Sequence, residues 1–250
     1  MKHRAVISCL LLASCATFHG PGSIDIVSLR SLFRVCESDL ENAKRVIVEH
    51  DLVKNLWHLQ RMDKGGSKYY LLEREGITAM IKAVTEGVYD DFILVSSNGT
   101  VVYTMTDNSL FARNLRSVSG ALAACHAERG PGPFVVTVPP LHRDGSGPFL
   151  AVSSRVSGGS TMPGTFILLV DMEKVRKLVG ERSCIIGQNG AYETACSGAE
   201  ANTPYPDFDR IDLTGSSDGL AARRFTRSDG GSAEYRLFRY ANLLWVFITE

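Results

Sequence analysis

Residues 24–62 carry the strongest constraint in this chain: an apolar stripe at helical spacing that no glycine or proline interrupts. Leu29, Phe33, Cys36, Leu40, Ala43, Ile47, His50, Lys54 and Trp57 fall on one i, i+4, i+7 line, and Leu32, Val46, Val53 and Leu56 widen it. The spacing predicts a helix of about 39 residues, roughly 58 Å long at 1.5 Å per residue. That length suggests a backbone-like stalk or a coiled-coil seam, and the polar members His50 and Lys54 argue against an uninterrupted zipper. A second helix reads from Tyr69 to Glu86, with Leu72, Ile77, Met80, Ile81 and Val84 on its apolar side.

After Gly87 the hydrophobic period changes from helical to two. Residues 91–97 and 100–105 read as strands around the tight-turn pair Asn98-Gly99. A helix follows within 112–128, then strands at 134–141, 149–156 and 165–170, then a short helix over 172–179 that Asp171 can cap. Sequential strands with helices between them indicate an α+β fold built on an antiparallel sheet. A smaller set follows: a hairpin from Cys184 to Cys196 around Asn189-Gly190, strands at 219–227 and 232–240, and the closing strand LLWVFIT.

The N-terminus has a different logic. Lys2, His3 and Arg4 precede a small apolar core, Ala5 to Ala13, and then Leu12-Ala13-Ser14-Cys15. A basic start, an apolar run and small residues before a cut site describe a secretory signal. Small residues just before a cysteine resemble the lipobox of bacterial lipoproteins. That resemblance implies diacylglyceryl transfer to Cys15, cleavage before it, and acylation (palmitate-type) of the new amine. The plainer alternative is a signal peptide with an incidental cysteine. Residues 1–14 are then the signal, 15–23 a lipidated tether, 24–87 a helical stalk, 88–180 a first lobe and 181–250 a smaller second lobe. Two or three acyl chains hold stably to a bilayer where one does not.

Several function classes are disfavoured. Lys plus Arg and Asp plus Glu number 27 each, so no global field steers the chain onto nucleic acid. No P-loop and no Gly-x-Ser-x-Gly elbow occurs, and no nucleophile sits at catalytic spacing from a base, so an enzyme is not expected. His50 and His58 lie two helical turns apart, too far for a shared metal. Neither a metal nor a cofactor is expected. Cys36, Cys125, Cys184 and Cys196 allow three disulfide pairings. Cys184 and Cys196 lie symmetrically about Asn189-Gly190 and suit a hairpin bridge. Buried thiols are the alternative, and a Cys36–Cys125 bridge also stays open.

The order of elements resembles the Cache superfamily, extracytoplasmic ligand-sensing domains with a PAS-like sheet. The carrying features are the long N-terminal helix, DFILVSSNGTVVYT, GTFILLVDMEKVRKLV, CIIGQNGAYET and NLLWVFI. The resemblance covers 24–250 and implies a double-Cache-like arrangement with a small-molecule pocket in the membrane-distal first lobe. It departs from the family in two ways. The amino-acid-binding pattern of Tyr, Arg and Trp-Tyr is absent from SVSGALAACHAERGPGPFVV. The chain also stops at Glu250 without a second span or a signalling segment, so a sensor of this kind is expected to act through a separate membrane partner.

Polar residues on or near the central strands are the candidate ligand contacts: Tyr103, Arg113, Arg155 and Asp171. Arg155 interrupts an apolar strand, and a guanidinium suits an anionic or amino-acid-like ligand. Strand alternation could instead point Arg155 outward, and capping could account for Asp171. The expected protein is a lipid-anchored small-molecule-binding module of a bacterial cell envelope, on the periplasmic face or the cell surface. The rival is a structural or interaction lipoprotein working through its long helix.

Overall fold

The computed structural model describes residues 24–62, 68–128, 130, 132–141, 147–158, 162–180, 183–214, 218 and 220–249. Cys15, the signal and the tether lie outside the described residues. Helix α1 spans Ile26–Glu49 and opens on Asp25, whose carboxylate accepts the Ser28 N–H at 2.9 Å. α2 is Leu52–Met62 and α3 is Lys68–Lys82. The single long helix expected from the sequence is broken at Asp51, which adopts φ +49°. Aspartate tolerates this left-handed conformation better than most residues, so no glycine or proline is needed. The break falls where the stripe turns polar, at His50, and the Asn55 amide accepts the role of tying the corner by donating to the His50 carbonyl at 3.0 Å.

β1 (Asp91–Ser96) and β2 (Val101–Thr104) form a hairpin. The expected helix within 112–128 is two short ones, α4 (Leu115–Val118) and α5 (Gly120–Ala127), each started by its own cap, Asn114 and Ser119. β3 (Phe134–Val138), β4 (Phe149–Val156) and β5 (Gly164–Asp171) complete an antiparallel sheet of order β2-β1-β5-β4-β3. α6 (Met172–Val179) then leads to a second sheet of β6 (Ser183–Gly187), β7 (Arg223–Thr226), β8 (Ser232–Tyr240) and β9 (Leu243–Thr249), in the order β6-β9-β8-β7.

The α1 stripe is neither a seam nor an exposed stalk. Leu29, Phe33, Cys36, Leu40, Ala43 and Ile47 are all buried within this chain. Toward its N-terminus α1 meets the second sheet, where Phe33 stacks on Tyr240 with ring centroids 4.1 Å apart. Further along it packs on β4 and β5. One continuous core therefore runs from Leu29 and Phe33, through Phe92 and Phe166, to Trp245 and Phe247. The other face of the first sheet is covered by α4 and α5, with Leu115, Leu122 and Cys125 against Ile93, Ala151 and Ile167. The outer face of the second sheet is filled by Ile186, Tyr192, Tyr205 and Phe225.

Buried carboxylates fasten these layers. Asp39 of α1 is fully buried and accepts the Glu86 N–H at 2.9 Å, the Gly87 N–H at 2.8 Å and the Tyr89 hydroxyl at 2.7 Å. It thereby ties the helix to the chain entering β1. Asp91 accepts the Met105 and Thr106 N–H groups at 2.7 and 3.1 Å and the Thr104 hydroxyl at 2.8 Å, closing the open end of the β1–β2 hairpin. Burial pushes the Asp91 carboxyl up, and these donors pull it back down.

The lobes also meet through polar groups. The Asn242 amide, in the β8–β9 turn, accepts the Val135 N–H at 2.8 Å and donates to the Val135 carbonyl at 2.7 Å. It pairs with the edge strand β3 as another strand would. Nearby, burial raises the Glu193 carboxyl above its ordinary range, while Thr137 of β3 and Trp245 of β9 pull it down. Neither the Thr137 hydroxyl nor the Trp245 indole N–H reaches close hydrogen-bonding geometry.

Two outcomes follow from these contacts. Asp39→Ala strands three buried donors and should cost about 3 kcal/mol or more in urea unfolding; a loss below about 1 kcal/mol would remove Asp39 as a fastener. Glu193 is raised in the folded state, so the stability it contributes is full below its unfolded pKa and is lost as pH rises through its folded value. Glu193→Gln should therefore gain stability over the parent at pH 7–8, with the gap closing toward acid. A gap that widens toward acid would contradict this.

Candidate functional site

The four candidate residues do not converge on one cavity. Tyr103 is fully buried on the α1–α3 side of the first sheet, its hydroxyl 2.8 Å from that of Thr78. A β-bulge explains this placement. Leu94 pairs with Tyr103 but Val95 pairs with Val101, so Val102 is an extra residue and the side chains beyond it change face. Burial pushes the Tyr103 phenol well up, and Tyr103 forms core rather than a pocket wall. Arg113 is exposed beside Asn114 at the rim of the β1–β2 turn. The Asp171 carboxylate accepts the Glu173 N–H at 2.8 Å and caps α6. Phe149 pairs with Asp171 and Arg155 with Thr165, so Asp171 and Arg155 sit at opposite ends of the β4–β5 pair. Six residues at 3.3 Å rise separate those ends by about 20 Å.

Arg155 does face inward. Along β4, Ala151 packs toward α5 and Val152 toward α1, so Arg155 shares the α5 side with Ala151. It is half-buried, and its Nη1 atom is shut off from solvent with no hydrogen-bond partner. Directly across the strand pair lies Thr165, buried, whose hydroxyl is 3.0 Å from Nδ1 of His126 on α5. Cross-strand partners on one face are about 5 Å apart, so Arg155, Thr165 and His126 form one polar end to an otherwise apolar layer.

The β1–β2 turn completes that end. Gly99 has φ +84°, which the tight turn requires, and the His126 ring packs against it. Asn98 accepts the Ser96 hydroxyl at 2.6 Å, and Asn114 donates to the Asn98 carbonyl at 3.0 Å while capping α4. The polar groups of the turn are thus mutually satisfied, which leaves the Arg155 Nη1 atom as the unmet donor beside them. His126 and Thr165 escaped the sequence reading because only the register puts them beside Arg155. Their signal in the sequence was a polar residue at the end of each apolar element.

Two clefts lie elsewhere, and Arg155 lines neither. One, of about 580 Å³, runs between α2 and α3 with Leu52, Leu56, Ile77 and Met80 on its floor and His50 and His58 at its rim. The other, of about 520 Å³, lies between Glu173 and Arg176 of α6 and the loop 195–200. That loop is held by Cys196, whose sulfur is bonded to Cys184 at 2.01 Å. Cys36 and Cys125 are unpaired, with the first sheet between them. Burial pushes both thiols up to about 12, which leaves them protonated at neutral pH. Among the described residues no group of three His, Cys, Asp or Glu side chains could hold a metal, and no helix is long and apolar enough to cross a membrane.

With this geometry in view, comparison with solved structures is informative about fold. The chain is similar to an extracellular ligand binding receptor from Desulfohalobium retbaense, with a TM-score of 0.57 and 10% identity. The alignment covers 90% of this chain and 38% of that one, so this chain spans well under half of that receptor. It is also similar to the ligand-binding domain of the Campylobacter jejuni chemoreceptor Tlp3, solved in complex with 4-methylisoleucine. There the TM-score is 0.52 and the identity 9%, over 90% of this chain and 85% of that one. No protein-family model matches the sequence, and no curated protein is similar to it in sequence. What this chain shares with these structures is the fold: α+β, with a long N-terminal helix and two antiparallel sheets.

Proposed function

We propose that this chain is a lipid-anchored extracytoplasmic module that binds a small anionic molecule at Arg155 and reports its occupancy to a separate membrane partner. The observation that supports the reading is the Arg155 Nη1 atom, out of water and without a partner. A guanidinium nitrogen kept out of water without a partner is costly, whereas an anion there would make short charge-assisted bonds. The resemblance in fold to extracellular ligand-binding domains points the same way. The rival reading, an interaction protein working through its long helix, loses its surface because the α1 stripe is covered by the chain's own sheets.

A route from this site to the second lobe is short. Arg155 lies two residues from Ser153 on β4, Ser153 pairs with Phe134 of β3, and the next residue, Val135, is clamped by Asn242 of the second lobe. Lipid chains on Cys15 would hold the start of α1, and with it the second lobe, next to the bilayer. The 24 residues of α1 then carry the first lobe outward, by about 36 Å at 1.5 Å per residue.

Two experiments test the reading. In thermal melts with acetate, propionate, succinate, phosphate and amino acids, a ligand at a hundredfold excess over Kd adds about 2.7 kcal/mol. In a chain of this size that should raise Tm by roughly 5 °C or more, and Arg155→Ala should abolish the rise. No shift with any compound, or a shift that survives Arg155→Ala, would overturn the proposed site. Separately, Cys15→Ala should abolish incorporation of a clickable fatty acid and release the protein from membranes; undiminished labelling would remove the lipid anchor.

A further inference from the structure

We infer that the seam between the two lobes is a proton-sensitive latch: Glu193 holds β3 of the first sheet against β6 and β9 of the second while it is protonated, and releases it when it ionises. The inference does not depend on any ligand at Arg155.

The seam is where two open sheet edges meet. β3 is the edge strand of the first sheet and β6 that of the second. Two side chains of the second lobe bridge them. The Asn242 amide clamps Val135. Two residues along β3, and therefore on the same face, Thr137 directs its hydroxyl toward Glu193. Glu193 is positioned from the other side. Its N–H donates to the Ile185 carbonyl of β6 at 2.8 Å, and its carboxylate lies over Gly187, where a methyl group would collide with it. Gly187 pairs with Trp245 of β9, so the missing side chain at Gly187 leaves the room that the carboxylate takes beside the indole.

The groups that face Glu193 offer its charge little. From β3 comes the Thr137 hydroxyl, from β9 the Trp245 indole, and from β6 the bare backbone of Gly187. The turn after β6 brings the Asn189 side chain, whose oxygen already accepts the Ala191 N–H at 3.1 Å. None of these is charged, and no charged side chain among the described residues acts on the carboxyl. Thr137 Oγ1 and Trp245 Nε1 are both shut off from water and both fall short of hydrogen-bonding geometry. A carboxylate held there lacks close donors in surroundings of low polarity, whereas the neutral acid is far less costly to bury. Moving β3 away admits water and returns the group toward its ordinary acidity. Closure therefore takes up a proton and opening releases one, so acid closes the seam and rising pH opens it.

Amide hydrogen exchange on the full chain, followed by NMR, reads the seam directly, because the Val135 N–H is held across it by Asn242. Ile167, on the central strand of the first sheet, serves as the reference for global unfolding. Protection at Val135 should lie below that at Ile167, since the seam opens without unfolding either lobe. Corrected for intrinsic exchange, it should fall at least about threefold between about pH 5 and 8. Glu193→Gln, which keeps the shape without titrating, should flatten that fall. Thr137→Val removes a donor to the carboxylate and should move the fall to higher pH, with circular dichroism melts showing that both variants fold. Val135 protection equal to that of Ile167 would mean that the lobes part only on global unfolding, and would overturn the latch. So would protection that does not change with pH in the parent, a fall that persists in Glu193→Gln, or one that Thr137→Val leaves in place.

Discussion

Everything in this fold is assembled on one face of α1. A two-lobed chain of this size has to keep two sheets in fixed relation, and here both bury themselves against the same helical stripe. Phe33 stacks on Tyr240 and lies against Trp245, while further along the helix Ala43 and Ile47 are sealed in the same core as Phe166 and Leu168. Each fully buried Leu, Ile or Phe contributes about 1.5–3 kcal/mol relative to exposure. The helix thus supplies adhesion to both lobes, and its straight run through Glu49 sets the distance between them. The break at Asp51 follows directly: beyond Ile47 the wall to be covered is the β1–β2 edge, and α2 turns to lay Leu52, Val53 and Leu56 upon it.

Apolar burial is not directional, so it cannot by itself choose a register. That task falls to the buried carboxylates. Asp39 fixes where along α1 the chain must leave α3 and enter β1, because three donors have to meet one side chain. Asp91 does the same for the exit from β2. Sliding either contact by one residue would leave a charge buried without its donors, which costs several times what a misplaced leucine costs. At the junction of the lobes the Asn242 amide plays this role without charge, satisfying both backbone groups of Val135 on an edge strand that would otherwise be open.

The parts of this architecture that depend on local pattern were legible in the sequence. β4 and α6 fall at the expected residues, the Asn98-Gly99 turn is where the pair places it, and Asp171 caps its helix. The hairpin expected from Cys184 to Cys196 is present only at its start: past the Asn189-Gly190 turn, Tyr192 makes a single bridge to Ile186 and the chain departs toward Thr203. What was not legible depends on tertiary context. Leu72, read on one apolar side with Ile77 and Ile81, is 71% exposed, while Ile77 and Ile81 are buried as that side requires. The extra residue at Val102 sends Tyr103 to the opposite side of the sheet from Arg155, and nothing in VVYT announces a bulge. His126 and Thr165 are 39 positions apart in sequence and meet only because α5 lies across β5.

The same packing that hides the site defines it. Sheet faces that cradle a ligand must leave a gap in their side-chain layer, and here the middle of the α4–α5 layer is closed by Leu122, Cys125 and Ile167. Polarity is displaced to the rim, where strands end and backbone groups of the Asn98-Gly99 turn already demand polar company. Arg155 stands at that boundary, across the strand pair from Thr165, whose hydroxyl meets the His126 ring. A guanidinium so placed would hold an anion, as proposed, through its charge and its fork rather than through enclosure, so affinity would come from a few short bonds and little buried area.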